Sequence, residues 1–488
     1  MKKLVLFSIF ALALNTAFAT RWYVSATGTA TSATSWANPA SLRTALANAS
    51  SGDDIWVKSG TYIPYISSAN DAFMLKSGVV VYGGFAGTET ALSQRNFLTN
   101  ETVLDGAAGG SNSYHVVFAN SVSASTRIDG FKIINGKANG TAFAANGQGG
   151  GIYCSTSSPT IANCIFTNNS SAGSNSGAAI HIEGVSTPKI QNCTFRDNNG
   201  GSGVVFSSVG NQTKIQNCTF TYNQGTNVMR GTANIDRCKF SANSVTIGVI
   251  ISQGTLTLAN SLIVGNTSTA RILYAEANDV YQNNTITHNS NTSYSIEWVA
   301  SGNQSYGNNY AYQNTNNTQS GNPGIGCGGC NSLSNQPKFV NPGASIDAPF
   351  DANDYDYRLQ ASSPLINVGS DNYAPATNDL DNFPRIVGSS VDCGAYEYGT
   401  VGTFFDTDMS AAVAVTPNPN TGFCTIDLQG LDRPQTLSVI DLTGKVLLTQ
   451  NATATLQPLD LTALPNGQYI VSIRTETYTV IKKIVVTR

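Results

Sequence analysis

Only three histidines, His115, His181 and His288, occur in 488 residues, and they are widely separated. A histidine-built metal cluster is therefore not expected. The chain has neither a G-x-S-x-G nucleophile elbow nor a phosphate-cradling P-loop. Cys327-Gly-Gly-Cys330 has the spacing of a redox or metal motif. No second pair and no nearby histidine completes a zinc site, so a loop disulfide between Cys327 and Cys330 is expected. Asp351-Ala-Asn353-Asp354-Tyr-Asp356 starts like a calcium loop. Its sixth position is Asp356 where the loop needs Gly, and its twelfth is Ser362. A solvated turn is the expectation, with weak calcium binding left open and no other cofactor called for.

The remaining chemistry rests on scattered groups: His181, Glu183, Arg230, Glu276 and Glu297. Polysaccharide elimination needs a base beside the substrate carboxylate and a cation to neutralise it. Glycoside hydrolysis needs two carboxylates at a defined separation. The five groups form no dense cluster, so no catalytic residue is assigned. What they can do depends on the frame that holds them.

That frame is a repeat. IANCIFTNN from Ile161 recurs as IQNCTFRDN from Ile190, IQNCTFTYN from Ile215 and IDRCKFSAN from Ile235. Degenerate copies start at Leu258 and Tyr281, and an earlier relative at Ile128. The apolar positions alternate with the period of a strand, and no helical stripe interrupts them. A unit of this length cannot bury its own apolar face, whereas stacked units can. The expected fold is all-β, a parallel β-helix solenoid whose coils lie about 4.8 Å apart. Stacking superposes Cys164, Cys193, Cys218 and Cys238 as a buried thiol column. It likewise superposes Asn169, Asn198, Asn223, Asn243, Asn266 and Asn289 as a structural ladder at a turn. Asn163, Asn192, Asn217, Asn260 and Asn283 are candidates for a second ladder.

A further strand follows each ladder Asn. Aligned by distance from it, Ile152, Ile180, Val205, Ile250, Leu273 and Ile296 point inward. Their neighbours Tyr153, His181, Phe206, Arg230, Ile251, Tyr274 and Glu297 point outward, and a one-residue slip would reverse the faces. This register predicts that Tyr153 and Tyr274 are accessible. Tyr153, His181, Phe206, Arg230, Tyr274 and Glu297 are the glycan-binding candidates, a strip on which an extended polymer can lie. The competing reading is aromatic stacking between coils that only stabilises the solenoid.

The ends carry addresses. Residues 1–19 read as a secretory signal peptide: Lys2 and Lys3, an apolar run, then Ala17-Phe18-Ala19. Residues 20–100 read as an N-terminal cap. Within it Asn38 is placed as N-cap of an amphipathic helix through Ala49. The segments GDDIWVKSGTY and VYGGFAGTE, with the Cys/Asn repeats, resemble the right-handed parallel β-helix family typified by pectate lyases. The stretch SSPLINVGSDN, DLDNFPR, VDCGAYE resembles a module found at the end of bacterial surface β-helices. The solenoid is therefore placed at 20–398, with a terminal module at 336–398 and a linker at 399–412. Residues 413–488 hold short strands with PNPNTG, D-x-x-G-K, L-x-x-G-x-Y and a final KKIVV. In that order they resemble the C-terminal sorting domain of the Bacteroidetes type IX secretion system, an Ig-like β-sandwich. The resemblance implies export to the outer-membrane surface or beyond, with the secretion machinery as partner and surface lipopolysaccharide as one anchor.

Composition agrees with a polar solenoid. Charged residues are 11% of the chain and the net charge is −3. Such a chain has no basic footprint for nucleic acid, and beyond the signal no apolar run is long enough to cross a bilayer. The leading functional reading is glycan interaction or adhesion at the cell surface. A polysaccharide lyase or glycoside hydrolase and a purely structural solenoid are the alternatives, and whether the chain is an enzyme is left open.

Overall fold

The computed structural model describes residues 19–488 except 65–66, 108–111, 141–144, 277, 299–304, 316–318, 321–329, 331–335, 343–354, 375–377, 400–412, 429–430, 432–435, 442–445 and 475–478. The signal peptide, Cys327, the start of the acidic turn at 351–354 and the D-x-x-G-K turn lie outside the described residues.

Strands stack coil on coil in parallel. A ten-stranded sheet runs from Gly60–Tyr62 to Tyr310–Tyr312, and a 24-stranded sheet wraps the other faces. The wrapping arises where Gln224–Asp236 and Ser244–Ala259 run unbroken through the corners. Repeat positions pair as equivalents: Phe166 with Phe195, Phe195 with Phe220, Phe220 with Phe240. Their rings stack at 4.9, 4.5 and 4.6 Å between centroids and within 7° of coplanar. Coil spacing sets that geometry, because it is close to the thickness two aromatic faces need.

The Asn column continues one coil past the repeats. Asn169 Nδ2 donates to Asn198 Oδ1 at 3.1 Å, and the same bond joins each pair to Asn289 and Asn314 at 2.9 Å. Each amide also reaches a carbonyl on the preceding coil, as Asn223 Nδ2 does to Phe195 O at 2.8 Å. The left-handed turn conformation falls on the residue before, at Asn168, Asp197, Tyr222 and Ala242. Ladder Asn is thus selected for its amide, not for backbone tolerance. The Asn163, Asn192, Asn217, Asn260 and Asn283 set is the one that takes positive φ, at 50–55°. These residues turn corners, and Asn163 and Asn260 spend their amides on Asp129 and Asp236.

The thiols of Cys164, Cys193, Cys218 and Cys238 are buried and unbridged. Each Sγ bonds the carbonyl two residues back at 3.1–3.4 Å. Farther along the axis the column changes to Ser261, Asn284 and Asn309, which bond one another.

At the N-terminal end a short helix, Leu42–Asn48, adds Leu42, Ala45 and Leu46 to the solenoid core. Its N-cap is Ser41, whose Oγ accepts from Thr44 N at 3.1 Å, not Asn38. Ala40 is held in a bridge to Val24, which keeps the chain extended up to that point. The cap closes the apolar end of the stack.

The terminal module lies along the flank. Phe339, Tyr357, Leu365, Cys393 and Tyr396 share a core with Leu262, Val264 and Tyr310 of the ten-stranded sheet. Cys330 is bonded to Cys393, with Cα atoms 5.7 Å apart. The pairing of Cys330 with Cys327 is thereby corrected: the bridge joins Cys330 to the VDCGAYE segment, 63 residues on. In that segment Arg385 is buried among Asp379, Asp392 and Glu397, which accept backbone N–H groups. Burial raises the Asp379 carboxyl to about 7 and that of Glu397 to about 8.

Residues 413–488 form two antiparallel sheets, one of Ala414–Thr416, Phe423–Asp427 and Leu456–Asp460, the other of Thr436–Ile440, Val446–Asn451, Gly467–Arg474 and Thr479–Val486. Ile426, Leu437, Leu459, Val471 and Ile484 fill the space between them. The PNPNTG turn clamps the last strand: Asn418 and Asn420 bond Lys483 O, Val485 N and Val485 O.

Candidate functional site

The outward column has the register expected from the sequence. Tyr153 pairs with His181, His181 with Phe206, Phe206 with Arg230, Arg230 with Ile251, Ile251 with Tyr274, and Tyr274 with Glu297. Its inward partners include Met229, which fills the tightest coil.

Accessibility differs from expectation. Tyr153, His181 and Phe206 are 4%, 1% and 5% exposed, while Tyr274 is half-buried. The open aromatic platform is therefore corrected: the rings lie on one another instead of facing solvent. His181 stacks on Tyr153 at 5.3 Å and on Phe206 at 5.1 Å, within 4° of coplanar. The stack begins one coil earlier, at Phe118, 5.2 Å from Tyr153, and the turn at Gly149 packs against Tyr153. A Cβ there would lie 2.9 Å from Tyr153 Cα, and the residue has φ +69°. Farther along, Arg271 Nε binds Glu297 Oε2 at 2.6 Å and its guanidinium sits 5.1 Å from the Tyr274 ring. Glu276 accepts from Gly254 N at 2.8 Å. Glu276 and Glu297 are each engaged in these contacts, and neither is among the lining residues of the recess described next.

A recess of about 300 Å³ opens over strands Gly177–Glu183 and Gly203–Ser207. His181, Glu183, Phe206 and Gln253 line it from strands, and Gln148, Asn175, Ser208 and Val209 from the segments between strands. Glu183 gathers the polar contacts: the Tyr153 hydroxyl donates to Oε1, Ser155 Oγ lies 3.4 Å from it, and His181 Nε2 is 3.7 Å from Oε2. The imidazole first, then the tyrosine hydroxyl, holds this carboxyl down to about 2. Burial lowers the His181 pKa, so its ring is neutral at neutral pH. Both His181 ring nitrogens are buried without a hydrogen-bond partner. An unmet buried polar atom costs about 1–3 kcal/mol, which marks the position as strained unless something else meets it.

The sequence picked out His181, Glu183 and Phe206. It missed Gln148, Asn175, Ser208 and Val209, which sit between strands in segments of variable length, and Gln253, which lies within the long strand Ser244–Ala259.

Coils of parallel strands with stacked interior ladders define a β-helix solenoid. The family described as "Right handed beta helix region" matches residues 65–234 and 115–284, and "Secretion system C-terminal sorting domain" matches 414–487. The chain is a right-handed parallel β-helix protein with a type IX secretion sorting domain. That domain addresses it, through the type IX machinery, to the cell surface or the extracellular space. Among solved structures it is similar to the pectate lyase Pel9A, at 16% identity and TM-score 0.48, over 78% of this chain and 97% of that one. It is also similar to PfbA, a surface adhesin of Streptococcus pneumoniae, at 11% identity and TM-score 0.28, over 53% and 76%. No curated protein matches. Among the described residues no helix is long and apolar enough to cross a membrane.

Proposed function

We propose that the exported solenoid is a glycan-binding surface protein and that the recess at His181 and Glu183 is where the glycan sits. One observation carries the reading. A buried histidine with no hydrogen bond at either ring nitrogen lines a recess beside an ionised carboxylate, and side-chain amides and a hydroxyl ring the opening. A saccharide supplies what such a site lacks, hydroxyls that both donate and accept, and C–H faces that pack on Phe206 and Val209. Adhesion follows where the glycan belongs to a neighbouring surface.

Glycoside hydrolysis by the two-carboxylate route has no footing here, because Glu183 is the one carboxylate among the described lining residues. The test is retention of the full chain on a panel of immobilised acidic and neutral polysaccharides, with the soluble products assayed. Retention without new reducing or unsaturated ends is expected. Turnover makes the protein an enzyme, and absence of retention on every glycan removes the binding reading.

A further inference from the structure

Building on that glycan-binding reading, we infer that the recess selects neutral saccharide chains and rejects polyuronates. The selection comes from the charge inventory of the recess. Glu183 is the one carboxylate among its described lining residues, and the His181 contact, then the Tyr153 hydroxyl, lower it so that it is charged at neutral pH. His181 supplies no compensating charge, because burial favours its neutral ring. Gln148, Asn175, Ser208 and Gln253 are uncharged, and Phe206 and Val209 are apolar.

The nearest cation of the same column is Arg230, one coil beyond Phe206, with Nη1 3.4 Å from Ser202 Oγ and outside the lining. Its guanidinium reaches back one coil to Ser202, whose Oγ accepts from Asn175 N at 2.7 Å, so this cation borders the Asn175 end of the recess, while Glu183 stands at the far end of strand Gly177–Glu183. A sugar carboxylate lying against the Glu183 end therefore has Glu183, not Arg230, as its near charge. The next, Arg271, is already matched by Glu297.

A sugar carboxylate placed against this wall meets a second carboxylate with no cation between them. At contact distance such a pair repels strongly enough to weaken binding about tenfold. A hydroxymethyl or methyl-ester group at the same carbon meets an acceptor it can bond or pass without penalty. The Tyr153 hydroxyl is already committed to Glu183 Oε1, leaving the partly exposed Oε2 as the position a ligand hydroxyl can use.

The matched probes are polygalacturonate, its fully methyl-esterified form, and a neutral galactan, titrated against the full chain by calorimetry at low ionic strength. Expected is binding of the ester and the galactan, and binding of polygalacturonate weaker by about tenfold. The gap should narrow in Glu183→Gln and at roughly 0.5 M salt, where the Debye length is only a few ångströms. Polygalacturonate binding as tight as its ester, or tighter, overturns the selectivity while leaving glycan binding intact. A preference for the ester that survives Glu183→Gln unchanged overturns the role given to Glu183. No binding of any probe or panel glycan overturns the glycan reading itself, and this inference with it.

Discussion

Two columns run along the same coils and are built on opposite rules. In the ladder column every position is Asn, and each amide is satisfied by its own equivalent one coil away. In the outward column the residue changes at nearly every coil, from Tyr153 through His181, Phe206, Arg230, Ile251 and Tyr274 to Glu297. There His181 keeps two unmet nitrogens. A solenoid lets its scaffold be read from what repeats. Its site is to be sought where repetition is broken and satisfaction is incomplete.

Substitutions should separate the two columns. Asn223→Ala removes donors to Phe195 O and Asn243 Oδ1 and strips Asn198 of its acceptor. With several buried groups left unmet, a loss on the order of 4 kcal/mol is expected in chemical denaturation. A loss under about 1 kcal/mol would show that the ladder is not what holds the coils. Phe220→Ala, in the adjoining stack, should cost about 3–5 kcal/mol by the same measurement.

The terminal module sharpens the contrast, because a covalent bond and a buried charge network replace repetition there. Cys393→Ser should destabilise it by about 2–4 kcal/mol, read as earlier proteolysis of the 336–398 region. Its stability should also depend on pH. Asp379 and Glu397 have folded pKa values raised to about 7 and about 8, so the folded module holds protons that the unfolded chain has released. Stability from this source is fully present below the ordinary carboxylate range and is lost as pH rises through about 8. Hydrogen exchange across 379–397 should be faster at pH 8 than at pH 5 after correction for the intrinsic rate.

Legibility from the sequence followed the same division. IxNCxFxxN fixed the register of the coils from Ile161 to Asn243 because identical residues superpose in only one way, and PNPNTG marked the sorting domain, where its amides clamp the final strand. The exposure of Tyr153 was not legible. The turn at Gly149 that packs against it belongs to an irregular insertion, and alternation on a strand says which face a residue takes, not what lies above it. Cys393 was unreadable as a partner of Cys330, since the module folds back along the flank of the solenoid by contacts no repeat encodes. The rim of the recess was hidden because Gln148, Asn175 and Val209 lie in segments of variable length between strands, and Gln253 in a strand whose continuation through the corner no motif marks.

The smallest stability effect bears on the central claim. His181→Leu keeps a similar volume in the stack and deletes the two unpartnered nitrogens. The account predicts a denaturation midpoint within about 1 kcal/mol of the parent, together with a loss of glycan affinity of about tenfold or more. Unchanged glycan affinity in a folded His181→Leu protein would contradict the placement of the site in this recess.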